Sequence, residues 1–403
     1  MTTPSLRQSI PFLLLGMALL GNQPLHARGY ATRGSCEGHP QVQIQAPAGY
    51  CVALVADERQ GLKFPRRMLE IAPGRFWIVD MGNWNARQGR LLEMTLTPGK
   101  AGVTMKTLAN GLDRPHGLAR GPDGKIYIAE ATRIWRSAAD HFAPETVIEQ
   151  LPGEGSHPLK EIAFGSGGRL YISVGSATDG CRNEAQQQAL PCAEVEGAQP
   201  RAAVYEAVLG GPLWQLQSLK PWATGLRNSM ALTVYQQPGQ PDVVLQGENS
   251  IDYPEESSPR EEFNRLQSGG HYGWPYCVAD QQPARGYEGR YDCQSTRAPS
   301  ALWPAHTAPL HMLVAPVLAG HPWSGQLLVA WHGYRAAGHR VMAFRLDTAG
   351  RIANPGTELL GHWSARNGVR PLGAPAGLAL DTQGHLFVVE DRNRTILMLG
   401  RSR

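Results

Sequence analysis

The chain has 403 residues, with 38 Lys and Arg against 34 Asp and Glu, a formal charge of +4, and 42% hydrophobic residues. This composition suits a folded chain with a large core. Because the basic residues are scattered among acids rather than gathered in runs, neither nucleic acid nor a membrane surface is expected as a partner.

Residues 1–27 open with the single cation Arg7, continue with an apolar run over 10–20, and end in Pro24-Leu25-His26-Ala27. This order predicts a secretory signal peptide cleaved near Ala27. The run falls well short of the roughly 20 residues of a spanning helix, so no membrane span is expected after its removal. Export to the periplasm or the medium would place all six cysteines in an oxidising compartment. They fall into neighbouring couples, which predicts the disulfides Cys36–Cys51, Cys181–Cys192 and Cys277–Cys293, although other connectivities are formally open. The CxxC spacing of thiolate metal sites and the CxxCH of haem attachment are absent.

Residues 28–60 read as an N-terminal segment and 61–403 as one repetitive β domain. Hairpins are predicted at 66–80, turning at Pro73-Gly74; at 114–130, turning at Asp123-Gly124; and at 159–175, turning at Ser166-Gly167-Gly168. More divergent copies cover 226–247, with Pro238-Gly239, and 316–345, with Gly325 before an apolar run. The last, 375–391, turns at Gln383-Gly384. Six such units predict an all-β, six-bladed β-propeller in preference to a β-sandwich. The domain has more residues per unit than the roughly 40–50 of propeller repeats. Long interblade loops are therefore expected at 178–201 and 248–309, and such loops on a rigid scaffold are where chemistry tends to sit.

The chain lacks a Walker loop, a Rossmann glycine fingerprint, HExxH and GxSxG, which removes the easily recognised nucleotide, zinc-protease and serine-hydrolase readings. Candidate residues instead come from loops. His157 begins a hairpin in a Gly-rich loop, and imidazole titrates near working pH. Arg227 and Asn228 follow a turn glycine and could present donors to an anionic ligand. The loop Gly247-Glu248-Asn249 with Asp252 offers the oxygens that calcium prefers. Tyr272, Trp274 and Tyr276 could stack on a planar ligand but read better as packing, Trp274 above all. His116, His306 and His332 read as structural.

Several of these segments resemble the glucose/sorbosone dehydrogenase family of quinone-dependent sugar dehydrogenases. The matching stretches are Gly155-Ser156-His157 before Val174-Gly175-Ser176, Thr224-Gly225-Leu226-Arg227-Asn228 and Gly247-Glu248-Asn249. They continue through Glu261-Glu262-Phe263-Asn264, Tyr272-Gly273-Trp274-Pro275, Trp331-His332-Gly333 and Arg370-Pro371, in family order.

The resemblance implies pyrroloquinoline quinone and Ca2+ as cofactors and a sugar or sugar-derived aldehyde as substrate. Electrons would pass to an acceptor that the sequence does not name. It implies His157 as general base on the anomeric hydroxyl, and Arg227 as the group that stabilises charge on the reduced quinone. Arg227, Asn228, Asn249 and Arg370 would contact the cofactor, and Gly247 and Glu248 would bind calcium largely through backbone carbonyls. Ser176 stands where glucose-oxidising members carry an acid, which points to the sorbosone-like branch. A metal-dependent lactonase-type hydrolase and a non-catalytic binding propeller are the alternative functions.

Overall fold

The computed structural model describes residues 30–97, 102–182, 185, 187–361, 363 and 373–402. The expected signal peptide and Arg370 therefore lie outside the described residues.

The chain is almost entirely β and forms the expected six-bladed propeller. Numbered in chain order, blades 1, 2 and 5 are each built from four consecutive strands, the blade 3 sheet also takes in the short strand Gly270–His271, and blade 4 closes with Ala301–Trp303 beyond an insert. Blade 1 runs from Pro65–Ala72 to Val103–Leu112, blade 2 from Leu118–Arg120 to Glu145–Ile148, and blade 3 from Ile162–Phe164 to Gln215–Thr224. Blade 4 begins with Ala231–Tyr235, and blade 5 runs from Pro309–Val314 to Thr357–Leu360. Blade 6 combines Pro375–Leu380, Leu386–Glu390 and Thr395–Arg401 with Tyr50–Ala56 from the other end of the chain. First strands of successive blades touch around the whole circle, blade 6 against blade 1 included. Tight turns make the hairpins: Gly74 and Gly384 adopt φ of 72° and 86°, which a side chain rarely tolerates.

Three details differ from the sequence expectations. The boundary at residue 61 does not coincide with a blade boundary, because Tyr50–Ala56 pairs with Thr395–Arg401 and extends into the hairpin Thr32–Cys36 and His39–Val42. The segment 248–309 is not one loop: Glu261–Leu266 and Ala301–Trp303 are strands of blade 4. The blade 5 hairpin begins at Pro309, ahead of the expected 316, and residues 315–326 are its connection.

All three expected disulfides form. Two of them brace inserts of blades 3 and 4 that pack on each other, with Cys181, Cys192, Trp274, Tyr276 and Tyr287 in one apolar cluster. Trp274 donates its indole N–H to the Asp179 carbonyl at 2.8 Å, and the Tyr276 hydroxyl accepts from the Cys192 amide at 2.6 Å. Both aromatics thus hold one insert against the other.

The axis is filled by charge. Arg67 of blade 1 is 1% exposed and pairs with Glu161, at the entrance to blade 3. Its guanidinium also donates to the carbonyls of Met230, Leu310 and Ala376, at the inner strands of blades 4, 5 and 6. One fork of donors therefore ties four blades to a fifth, a task suited to the planar geometry of guanidinium.

Candidate active site

A cavity of about 730 Å3 opens above the axis where the loops entering the inner strands converge. Blade 1 contributes Phe64, Arg66 and Trp84, blade 3 contributes His157, blade 4 Asn228 and Asn249, and blades 5 and 6 contribute His332 and Asp391. Its size falls within the range of small-molecule sites.

His157 is placed by its neighbours in sequence and space. Pro158 restricts its backbone to extended conformations. Gly175 lets it approach the end of a blade 3 strand, since a Cβ there would fall 2.5 Å from the His157 Cβ. Its Nδ1 lies 3.0 Å from the Ser176 carbonyl and 2.9 Å from the Ser176 hydroxyl. That hydroxyl donates its own proton to the Thr178 carbonyl at 2.6 Å, so both oxygens act as acceptors toward the ring. This geometry assigns the ring proton to Nδ1 and leaves Nε2 with a free lone pair. Burial, reinforced by the Arg227 charge, pushes the imidazole down to about 3, so it is neutral at ordinary pH.

Arg227 supplies that charge from behind the cavity wall and is not among the cavity's lining residues. Its guanidinium bonds Asp179 at 2.8 Å, Asp252 at 2.9 Å and the Asn249 carbonyl at 2.9 Å. This fork fixes the loops that adjoin the cavity. Asn228 and Asn249 do line the cavity and are locked together: the Asn249 side-chain amide donates to the carbonyls of Asn228 at 3.1 Å and Pro309 at 2.8 Å.

Gly247 ends a blade 4 strand opposite Ala231, and the Glu248 side chain turns into the protein rather than the cavity. The Glu248 carboxyl accepts from the Asn228 amide at 3.2 Å and the Gln246 side chain at 2.6 Å. Burial pushes it up to about 8. Among the described residues no group of three or more His, Cys, Asp or Glu is arranged to hold a metal. Any calcium at Gly247 and Glu248 would therefore depend on backbone oxygens.

The structure adds Arg66 and Asp391, which the sequence did not mark, and sets them against His332 and His116. Arg66 pairs with Asp391, and Asp391 accepts from His332 Nε2 at 3.0 Å, so a cation, a carboxylate and an imidazole share the cavity floor. Arg66 Nε also reaches His116 Nδ1 at 3.1 Å. Burial raises Asp391, but His332 and Arg66 outweigh it and hold the carboxyl below its usual range. At the rim, Arg392 lies 3.5 Å over the Tyr334 ring, and Trp84 stands edge-on to Phe64. The sequence singled out His116 and His332 among these residues, but not the pairings, which join residues far apart in the chain.

The cationic lining suits an anionic, oxygen-rich ligand, with Asn249 held in place by its own amide bonds. Arg66, Arg392, Arg394, Asn228 and Asn249 all line the cavity, and aromatic rings flank its mouth.

The family model described as Glucose / Sorbosone dehydrogenase matches residues 130–397. No curated protein matches the chain. Among solved structures, the calcium structure of a Trichoderma reesei carbohydrate-active enzyme of family AA12 is 20% identical, covering 89% of this chain and 97% of its own, with a TM-score of 0.70. The PQQ domain of pyranose dehydrogenase from Coprinopsis cinerea is 18% identical over 92% of this chain and 100% of its own, with a TM-score of 0.68. The soluble aldose sugar dehydrogenase of Escherichia coli is 15% identical over 88% and 100%, with a TM-score of 0.53. At such identities these neighbours establish the propeller fold alone. The family model spans well over half of the chain, including His157, Asn228 and His332, and the chain belongs to the glucose/sorbosone dehydrogenase family.

Proposed function

We propose that this protein is a pyrroloquinoline quinone- and calcium-dependent dehydrogenase that oxidises an aldose or a sugar-derived aldehyde in the periplasm or the medium. One observation carries the reading: His157, neutral and protonated on Nδ1, presents its other nitrogen in a cavity rich in cationic and amide donors. When bound, the quinone supplies the acceptor for a hydride from the sugar carbon. His157 Nε2 takes the hydroxyl proton of that carbon, the anomeric hydroxyl of an aldose or a hydroxyl of the hydrated aldehyde, so the substrate loses one hydride and one proton. The Ser176 acceptors hold the ring in the required tautomer and favour the imidazolium as it forms. Arg66, Asn228, Asn249 and Arg392 would hold the cofactor, and the carbonyls of Gly247 and Glu248 would hold calcium. Arg227 would act through position and field rather than contact. The two electrons then leave to an external acceptor.

The test is dye reduction by the mature protein supplied with pyrroloquinoline quinone and Ca2+, against a panel of aldoses and aldehydes. Activity should require both additions, and His157→Ala should lower kcat by roughly 10²–10⁴-fold, as expected for loss of a general base. Absence of quinone-dependent turnover across the panel would sink the proposal.

A further inference from the structure

Lys160 is completely buried, yet among the described residues no carboxylate forms a salt bridge with it. Its ammonium donates to the Pro158 carbonyl at 2.8 Å. Its backbone carbonyl accepts from the Gly117 amide of blade 2 at 2.9 Å, a close approach, since a Cβ on Gly117 would fall 2.8 Å from that oxygen. The segment 157–160 is thus clamped at one end to blade 2 and turned back on itself at the other.

The groups facing the amine do not compensate it. Arg201 and Arg114 are both cationic, and the one nearby acid, Asp113, already bonds Arg114 at 2.7 Å. Arg201 itself donates to the Gly175 carbonyl at 3.2 Å, beside Ser176. Burial, with the two guanidiniums adding to it, brings the amine down to about 7. Burying an amine without a counter-charge is costly, and an apolar side chain of similar length would pack there at lower cost. Sites that break a stability rule in this way are where function is expected.

We infer that Lys160 is a positioning residue for His157. Its amine fixes the Pro158 carbonyl, Pro158 restricts the backbone of His157, and the imidazole is thereby held against Ser176 with Nε2 in the cavity. Charged and neutral amine can both donate this bond, so the placement persists across neutral pH.

The role in turnover rests on the proposed dehydrogenase activity, and a second readout stands apart from it. Lys160→Met removes the donor and the buried charge while keeping the length of the side chain. Its kcat should fall about 10–100-fold with KM changed less than threefold, the penalty of a base displaced by about an ångström. Thermal stability should be unchanged or raised. Lys160→Arg, which keeps a donor, should recover part of kcat. In the protein without cofactor, NMR should show the His157 ring resonances shifted in Lys160→Met, independently of any activity. A kcat within twofold of wild type, or His157 resonances identical to wild type, overturns the inference. Lowered stability with unchanged kcat would make Lys160 a structural residue and also overturns it. If no quinone-dependent activity exists in wild type, the dehydrogenase reading fails and the resonance comparison alone decides the role of Lys160.

Discussion

The molecule buries carboxylates in several places, and two of them, the axis and blade 4, surround theirs with different partners. At the axis, Glu161 and Asp391 meet Arg67 and Arg66 directly. In blade 4, Glu248, Glu261 and Glu262 are each 5% exposed or less, and among the described residues none of them forms a salt bridge. They accept from neutral donors instead: Gln246 to Glu248, the Ser250 amide to Glu261 at 2.6 Å, and Asn264 to Glu262 at 3.1 Å. Asp391 is held as an ion by Arg66 and His332, whereas burial raises the blade 4 groups toward acids that keep their protons and raises Glu161 as well, even beside Arg67. Burial pushes each of these carboxyls up, and the charge it carries follows from how far its partners offset that push, fully at Asp391 and only in part at the others.

Removing one member of an axial pair breaks this comparison most severely. Arg67 falls to about 10 through burial but stays charged at neutral pH, and it bridges Glu161 to the inner strands of three blades. Arg67→Met should cost about 3–5 kcal/mol in chemical denaturation, since Glu161 is left as an uncompensated buried charge. Adding Glu161→Gln should restore part of that loss. An Arg67→Met variant as stable as wild type would show that the axial fork does not hold the blades.

Raising the pH sharpens the same comparison. Glu248 sits at about 8 and Glu261 at about 7, while Glu262 lies well above its usual value, in each case through burial first. A carboxyl raised above its unfolded value near 4.3 contributes stability that is complete below that value and is lost as pH rises through the folded one. Stability should therefore decline from about pH 4.3 upward, by up to about 1.4 kcal/mol per pH unit for each group that still holds its proton in the folded state, with Glu261 leaving the slope above about 7 and Glu248 above about 8 while Glu262 sustains it further into alkali. Asp391 has the opposite sign, its contribution being lost only in acid. Glu262→Gln, which mimics the protonated acid, should flatten the alkaline decline seen in pH-dependent melting. An unchanged slope would mean that Glu262 already ionises in the folded protein.

How much of this was legible in the sequence follows from the range of each interaction. Hairpins turning at Gly74, Gly124 and Gly384 announce themselves, because turn and strands are adjacent and the turn requires a special residue. The three disulfides were legible for the same reason: each closes a short loop. Tyr50–Ala56 reads as an apolar strand, but nothing local says that its partner is Thr395–Arg401. Glu261–Leu266 was hidden because a strand carrying Glu261, Glu262 and Asn264 does not look like one that is buried. In the site, a motif marked the segment around His157, but its hydrogen bonds to Ser176, nineteen residues on, were not legible. The direction of Arg227 was not, since a guanidinium before Asn228 can turn to a ligand or to Asp179 and Asp252 with equal chemical sense. Arg66, Asp391 and His332 meet only because the propeller closes.

The smallest expected effect concerns Ser176 itself. Its hydroxyl oxygen accepts from His157 at 2.9 Å, but its backbone carbonyl does the same at 3.0 Å and survives substitution. Ser176→Ala removes one neutral hydrogen bond, worth about 0.5–1.5 kcal/mol, so kcat/KM should fall about two- to tenfold with the ring proton still on Nδ1. That loss is far smaller than the one expected for His157→Ala. If Ser176→Ala instead matched His157→Ala, the hydroxyl and not the carbonyl would be orienting the base. Ser176 would then orient the base through its side chain, with the backbone carbonyl in a minor part.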